Sequence, residues 1–447
     1  MYNVDYKHNN KIPMIKLKTL TAKLEVKKNS KIILIFIFIT FFLSSSFVAI
    51  VFSSYPEFDE LAYIDHVEKI QKSENNWYLG DRNRMPLFNY LLFTTYTKDS
   101  NMSMQYRLFQ ITNIFFVLIF SYIYVSKLDK LFSSKLYFYF CVIFTLFIPV
   151  MSYVHDVVVE PLFYITFGLF CLYVNDLLSK PNLNKYFKFG IVSSVLYLLK
   201  ATGLNLFISS LLFIAFINIV KKRMHLKNVI TNSIFSFLVF LFICSPYLIE
   251  NYHKFNGHIF YNVNTTFYVW YDSWDDVESG TKLYGDRIGW PSMPEENIPS
   301  FNKYLNEHSN KEIINRFLKG FKSIFIYYIS INEFTGAMSL SIFLLFCYLQ
   351  YLKKSLKSPQ NFTNNNESFG LYITFISLIL FTGAAWYSVI APIPRFTILI
   401  IVPIYFIFFK KLDNLNNYYP NRSRENDVFI ILFIFLITQG VILINQI

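Results

Sequence analysis

The sequence predicts an all-α polytopic integral membrane protein with about 11 transmembrane helices. Hydrophobic residues make up 54% of the 447 residues, and aromatic residues make up 20%. Apolar runs recur, each bounded by charged residues, and several reach the ~20 residues needed to span a bilayer. The runs are continuous rather than alternating, which disfavours a transmembrane β-barrel. We place the spans at residues 33–53, 107–126, 136–154, 160–178, 187–199, 203–220, 228–249, 335–352, 369–390, 395–409 and 428–445.

The placement of charge accounts for the net charge of +12 and predicts the orientation. With the N-terminus inside, the inner segments hold 25 Lys and Arg against 8 Asp and Glu, whereas the outer segments hold 16 against 21. This is the positive-inside pattern. The basic excess therefore indicates topology, and attraction to anionic membrane lipid, rather than nucleic-acid binding. We expect a bacterial plasma (inner) membrane protein with a cytoplasmic N-terminus.

The topology divides the chain into four regions. The first is a basic N-terminal tail, which resembles a signal anchor more than a cleaved signal peptide. The span at 187–199 is too short on its own, so we predict that it forms a hairpin with the next span, turning at "KATG". The regions are a cytoplasmic tail (1–32), a transmembrane catalytic module (33–249) with a first external loop (54–106), a large external loop (250–334) and C-terminal transmembrane helices (335–447).

The sequence does not support the assignment of a particular cofactor. It lacks a P-loop and a G-x-G-x-x-G motif, and no nucleotide supply is expected outside the membrane. A group transfer there needs a donor that arrives another way, and a lipid-linked donor fits. His155 beside Asp156 raises the possibility of a divalent metal, but one histidine and two acids do not support a metal site. The four cysteines fall in predicted spans without metal-ligand spacing and are expected to be small buried hydrophobes.

An acidic pair opens the first external loop. On a short helix Asp59 and Tyr63 share a face, while Glu60 points about 100° away. A partly desolvated carboxylate can accept a proton from an attacking hydroxyl or orient it. Asp59 is therefore the candidate base, and Glu60 is the second candidate catalytic residue. The alternative is that both are solvated loop acids.

Basic residues form a second candidate group, because arginine matches phosphate oxygens with paired hydrogen bonds. Arg82 and Arg84 precede a proline in the first loop, Lys200 lies at the predicted hairpin turn, and Arg395 opens a late span. Snorkelling or anchoring at helix ends is the alternative role for each of them. In the predicted topology, all of these basic residues lie on the outer side of the membrane.

Further acids and aromatic residues lie on the same predicted face. Asp156 and Glu160 flank the start of a span, where ionisable groups are costly and usually mark a functional cavity. In the large loop, "FYVWYDSWDD" interleaves Trp270 and Trp274 with acids. Aromatic faces beside carboxylates are typical of sugar-binding sites. An interfacial belt or a local loop core is the alternative.

Five stretches resemble the GT-C glycosyltransferases of family 39, which include protein O-mannosyltransferases and lipid A aminoarabinose transferases. The first loop is similar to the family's Asp-Glu-x-x-Tyr motif followed by a basic residue before Pro-Pro-Leu. The other stretches are the acidic turn, the Lys-containing hairpin turn, the entry to the large loop and a late Arg-containing span. The residues concerned are "FDELAY…GDRNRMPLFNYLLF", "VVVEPLFYITFGLFCLYV", "LLKATGL", "SPYLIENYHKFNGHIFYN" and "IPRFTILIIVPIYFIFF".

The sequence departs from the family pattern at three points. Met85 replaces the first proline of Pro-Pro. Asn83 stands where some members have an acid, which weakens a metal site carried over from the aminoarabinose branch. The soluble C-terminal domain found in oligosaccharyltransferases is absent from this sequence.

The resemblance implies a GT-C fold whose external loops carry the active site of a membrane glycosyltransferase. A polyprenyl-phosphate sugar would be the donor, and a glycan, lipid or protein would supply the acceptor hydroxyl or amine. Attack would invert the anomeric carbon. Phosphate contacts fall to Arg84, Lys200, Arg395 and Arg82, and sugar or acceptor contacts to Tyr63, Asp156, Glu160, Trp270 and Trp274. The alternatives are a lipid-linked oligosaccharide flippase or transporter, and an O-antigen-type polymerase with a diphosphate donor.

Overall fold

The computed structural model describes most of the chain. The predicted phosphate-binding Arg82 and residues 1–29 of the predicted tail lie outside the described part. Within that part all regular structure is helical, which confirms the all-α prediction. The described residues are 30–52, 55–56, 59–79, 84–98, 100–254, 257, 259–260, 268–284, 300–330, 334–356, 367–390, 395–419 and 422–446.

The α-helices are numbered in chain order. A π-helical turn at Leu146–Val150 joins the helices Lys135–Thr145 and Met151–Val154, so these two form one span. The helices are α1 (Ser30–Phe52), α2 (Asp59–Lys72), α3 (Pro86–Phe93), α4 (Met102–Leu128), α5 (Lys135–Thr145), α6 (Met151–Val154), α7 (Glu160–Ser179), α8 (Leu183–Leu199), α9 (Thr202–Val220), α10 (Leu226–Lys254), α11 (Trp274–Tyr284), α12 (Phe301–Glu307), α13 (Asn310–Ile329), α14 (Phe334–Ser355), α15 (Glu367–Tyr387), α16 (Arg395–Ile398), α17 (Ile401–Tyr418) and α18 (Glu425–Gln446).

Nine helices in the described part of the chain are long and apolar enough to cross a membrane, which marks an integral membrane protein. Two of the predicted spans are not among the nine. The predicted span 187–199 forms α8, which has 17 residues. The predicted span 395–409 is divided between α16 and α17, and α17 carries Lys410, Lys411 and Asp413 in its second half.

Burial separates central from peripheral spans. The spans Lys135–Val154 and Glu160–Ser179 are each 78% buried, so they form the centre of the bundle. The spans Lys31–Val51 and Leu226–Lys254 are 28% and 22% buried, and their large apolar side chains face outward. Outward apolar surface is what a lipid environment requires of a spanning helix. The central span Glu160–Ser179 begins with one of the candidate residues, Glu160.

Buried carboxylates join the helices at the end of the bundle away from Arg395. The buried Asp413 of α17 accepts hydrogen bonds from the backbone amides of Ser133 and Ser134, at 3.0 and 2.7 Å. The buried Asp427 of α18 accepts one from Tyr137 at 2.5 Å. A buried carboxylate is tolerated only when such donors replace water. These contacts fix α17 and α18 against α5.

A close contact at Gly320 attaches α13 to α15. A Cβ at Gly320 would overlap the carbonyl group of Ala385 and lie 2.9 Å from the Oγ of Ser388. That Oγ donates a hydrogen bond to the Gly320 carbonyl at 3.0 Å. The absence of a side chain therefore lets the two helix backbones touch.

Gly320→Ala is expected to separate α13 from α15 and to destabilise the protein by about 1–3 kcal/mol, because a side chain is forced into a filled space. Gly383→Ala, on α15, is the matched control, since nothing lies within 4 Å of its added Cβ. Helix propensity alone makes that control neutral or more stable by up to ~1 kcal/mol. Thermal unfolding of the purified variants in one detergent measures the difference. Equal stability of the two variants would contradict the contact.

Candidate functional site

Five of the predicted site residues meet at one end of the bundle. Each lies at or beside a helix end, where a charged residue ends an apolar run. Asp59 begins α2, Glu160 begins α7 and Arg395 begins α16, whereas Arg84 precedes α3 and Lys200 lies in the turn between α8 and α9. We call these five residues the ion-pair cluster.

Two arginines hold the Asp59 carboxylate. Arg84 donates to its Oδ1 at 2.7 Å, and Arg395, 336 residues away in sequence, donates to its Oδ2. Burial alone would raise the pKa of Asp59, but the two positive charges outweigh burial and hold that pKa well below its ordinary value of 3.8. Asp59 is therefore ionised throughout the physiological pH range.

Glu160 completes the cluster. Lys200 Nζ donates to Glu160 Oε1 at 2.9 Å, and Arg395 Nε lies 3.4 Å from the same oxygen. Arg395 therefore lies between the two carboxylates and connects them. The Glu160 side chain is 4% exposed whereas that of Asp59 is 35% exposed, so Asp59 is the carboxylate that a ligand can reach.

Aromatic rings line the cluster. The Arg84 guanidinium lies 4.6 Å from the centre of the Tyr63 ring, which is buried one turn after Asp59 as the i, i+4 spacing predicts. Lys200 Nζ lies 4.7 Å from the centre of the Phe396 ring. These contacts supply cation–π attraction and exclude water from the cations.

Glu60 has a different environment. It is buried and accepts hydrogen bonds from the Tyr106 hydroxyl and the Val157 amide, both at 2.7 Å. The two neighbouring acids thus point to different surroundings, in agreement with the predicted angle between them. Glu60 fixes α2 against α4 and the turn before α7, whereas Asp59 belongs to the ion-pair cluster.

Two polar residues within α4 hold the turn before α7, and sequence reasoning missed both. Gln110 donates to the His155 carbonyl at 2.8 Å, and Asn113 donates to the Asp156 carbonyl at 2.7 Å. The Asp156 carboxylate lies 3.4 Å from Nε2 of its neighbour His155. The sequence did carry a signal for Gln110 and Asn113: both have amide side chains inside a predicted span, and amide groups away from water need hydrogen-bond partners.

The large loop forms a second polar centre around Asp272. Tyr304, His308 and Arg316 each donate to its carboxylate at 2.8 Å. The Arg316 guanidinium also lies 4.3 Å from the centre of the Trp386 ring, at the end of α15. This centre borders a cavity of about 230 Å³.

The two predicted sugar-contacting tryptophans take different positions in this loop. The Trp270 ring packs against Phe301, Tyr304 and Trp386, with ring centres 5.5–6.2 Å apart, so it forms a local loop core while also lining the cavity. Trp274 donates to Glu278 on its own helix at 3.0 Å. The ring contacts of Trp270 are therefore those of a local loop core, which is the alternative to sugar binding given above.

No group of three or more His, Cys, Asp or Glu side chains that could hold a metal ion occurs among the residues placed in the structure. No protein-family model, curated protein or solved structure matches this chain.

The hydrogen bonds at His308 predict a pH-dependent loop. Burial lowers the pKa of His308, but bonds to the Tyr304 carbonyl and Asp272 outweigh burial and raise the pKa above 6.5. Their contribution to stability is complete below pH 6.5 and is lost as pH rises through the raised value, because neutral imidazole has one N–H donor. Hydrogen exchange over 300–308 is expected to accelerate beyond the intrinsic rate as pH rises above 6.5 and through the raised pKa of His308. His308→Gln is expected to abolish that excess, and an unchanged excess would contradict the assignment.

Proposed function

We propose that the protein is a membrane glycosyltransferase of the GT-C type. It moves a sugar from a polyprenyl-phosphate donor to an acceptor hydroxyl or amine and inverts the anomeric carbon. The single observation that supports this proposal best is the ion-pair cluster, in which three cations and two carboxylates meet at one end of a membrane-spanning bundle. Such a site suits a phosphate whose lipid tail lies among the helices.

The charge of the cluster suits a single phosphate. Arg84, Lys200 and Arg395 exceed the two carboxylates by one positive charge. A sugar phosphodiester carries one negative charge, so its binding neutralises the cluster. A diphosphate diester carries two negative charges and would leave the site negative, which disfavours the polymerase alternative.

Charge development supports transfer rather than transport. As the glycosidic bond breaks, the leaving phosphate gains a second negative charge, and cations fixed nearby stabilise that state more than the bound donor. The acceptor oxygen or nitrogen forms the new bond from the opposite face of the anomeric carbon. Polyprenyl phosphate leaves with the electron pair, and the acceptor proton leaves to water by way of Asp59.

Asp59 takes a role that depends on the donor. Two arginines make its carboxylate a weak base in the absence of a ligand. When the donor phosphate accepts hydrogen bonds from those arginines, Asp59 loses part of their stabilisation and its pKa rises toward the ordinary value. Donor binding thereby prepares Asp59 to orient the acceptor and accept its proton. Arg395 also contacts Glu160, which holds it in place during this exchange.

Donor turnover tests this proposal. Purified protein is incubated with polyprenyl-phosphate or polyprenyl-diphosphate sugar donors and a cell-envelope extract, and mass spectrometry follows the free polyprenyl phosphate or polyprenyl diphosphate that is released. Arg84→Gln and Asp59→Asn are each expected to lower turnover by about 10²–10³-fold, the usual effect of removing one group that acts on transition-state charge. Lys72→Gln, which removes an exposed lysine from an i, i+4 pair on α2, is the control and is expected to keep full turnover.

The other outcomes separate the alternatives. No release from any donor, together with donor movement across a bilayer, would support a flippase and overturn the enzyme. Release only from diphosphate donors would support a polymerase. Equal turnover by wild type and Asp59→Asn would keep the transferase and remove Asp59 from its chemistry.

Donor selectivity provides a further prediction from the charge of the cluster. Glu160→Gln keeps the size of the side chain but removes one negative charge, so the cluster then has two excess positive charges. The ratio of kcat/KM for monophosphate over diphosphate donors is expected to fall relative to wild type. Glu68→Gln, an exposed change on α2, is the matched control. An unchanged ratio in Glu160→Gln would contradict the charge argument.

A further inference from the structure

Helix α13 packs with one face against the last turns of α15. The carbonyl of Gly320 accepts a hydrogen bond from Ser388 at 3.0 Å. Further along α13, the Tyr328 ring lies 5.5 Å from that of Phe381. Phe381 precedes the end of α15 by six residues, which is about 9 Å at 1.5 Å per residue. The C-terminal half of α13 therefore lies at the depth of the terminal turns of a membrane span.

The opposite face of α13 is apolar and exposed. Its side chains recur every three or four residues, so they form one stripe along the helix. Exposure of these large side chains ranges from 41% to 65%. They are Ile314, Leu318, Phe321, Phe325 and Ile329.

Exposed lysines flank this stripe on one side, namely Lys311, Lys319 and Lys322. Helix α13 has 20 residues, which is enough to span a bilayer, yet it is too charged to be among the apolar spanning helices. An apolar stripe with lysines along its edge is the pattern of helices that lie in a membrane interface. Such helices bury their apolar face about 5–10 Å into the boundary between headgroups and acyl chains. The packing of Tyr328 against Phe381, about 9 Å along α15 from its end, places α13 beside the last turns of a spanning helix.

We infer that α13 is an interfacial helix whose apolar stripe lies in the lipid and whose three lysines contact anionic phospholipid headgroups. The membrane is favoured over a protein partner because α13 is already fixed beside a spanning helix at the depth of the lipid. The leaflet is the one that adjoins the ion-pair cluster, since Tyr328 donates to Thr397 Oγ1 at 2.6 Å, two residues after Arg395. This inference does not depend on the proposed transferase activity.

Depth-dependent quenching tests the position of the stripe. Cys347 is exposed and is replaced by Ser, whereas the other three cysteines are buried, so that a cysteine introduced at Leu318 or Phe325 is the exposed one that carries a fluorescent label in the full-length protein in lipid nanodiscs. Both labels are expected to be quenched by brominated lipid and shielded from iodide. A label at Asn306, exposed on α12, is the aqueous control, and one at Phe242, 80% exposed on α10, is the lipid control.

Two results would contradict the position of the apolar stripe in the lipid. Iodide quenching at Leu318 and Phe325 equal to that at Asn306 would place the stripe in water. Shielding from both quenchers, together with crosslinking between copies, would show that a second copy of the chain covers the stripe. Thermal unfolding of each labelled protein confirms that it is folded.

Lipid charge tests the lysines. Replacing neutral lipid with anionic lipid is expected to increase bromolipid quenching at Leu318 in wild type, because lysines near the surface are attracted to anionic headgroups. The triple change of Lys311, Lys319 and Lys322 to Gln is expected to lose this dependence. The matched triple change to Arg is expected to retain it. No dependence in wild type, or dependence that persists in the Gln variant, would overturn the headgroup contact.

Discussion

The contact on which the candidate site depends is the placement of Arg395 between two carboxylates. A guanidinium in a poorly solvated site is stable only when carboxylates replace its water, and Asp59 and Glu160 do so from two different helices. Each carboxylate is then paired with a second cation, Arg84 or Lys200. One arginine thereby holds together chain segments from the beginning, middle and end of the protein.

The sequence predicted this convergence because charge at the ends of apolar runs reports topology. Once the faces of the spans are assigned, residues as distant as Asp59 and Arg395 must come out on the same side. The sequence did not predict which cation pairs with which acid. That depends on the lateral order of helices in the bundle, and alternation of faces along the chain carries no information about lateral neighbours.

Other features were missed for local reasons. The roles of Glu60, Gln110 and Asn113 come from a turn whose backbone groups need buried partners, and the sequence does not show which turn each side chain reaches. The sequence left Trp270 open between sugar contact and a loop core, because aromatic residues beside acids suit both. Its packing against Trp386, more than 100 residues away in sequence, is a loop-core contact that the sequence does not show.

The end of α15 connects the large loop to the ion-pair cluster. Trp386 belongs to the aromatic core of the loop, whereas the ring of the next residue, Tyr387, lies 5.2 Å from that of Phe396. Phe396 in turn contacts Lys200. Two consecutive side chains at the end of one helix therefore link the aromatic core of the loop to residues that touch the cluster.

A site whose cations are already paired binds a ligand by exchange rather than by filling an empty position. A phosphate entering the cluster gains hydrogen bonds from arginine only as Asp59 gives up some of its own, so the net affinity is the difference between two large terms. The lipid tail offsets that small difference, because burial of each CH₂ group adds about 0.8 kcal/mol. In the mechanism we propose, the same exchange would leave Asp59 more basic when the donor is present than when it is absent. On that proposal, the self-paired cluster would combine weak binding of free phosphate with a carboxylate that becomes reactive only beside a lipid-linked one.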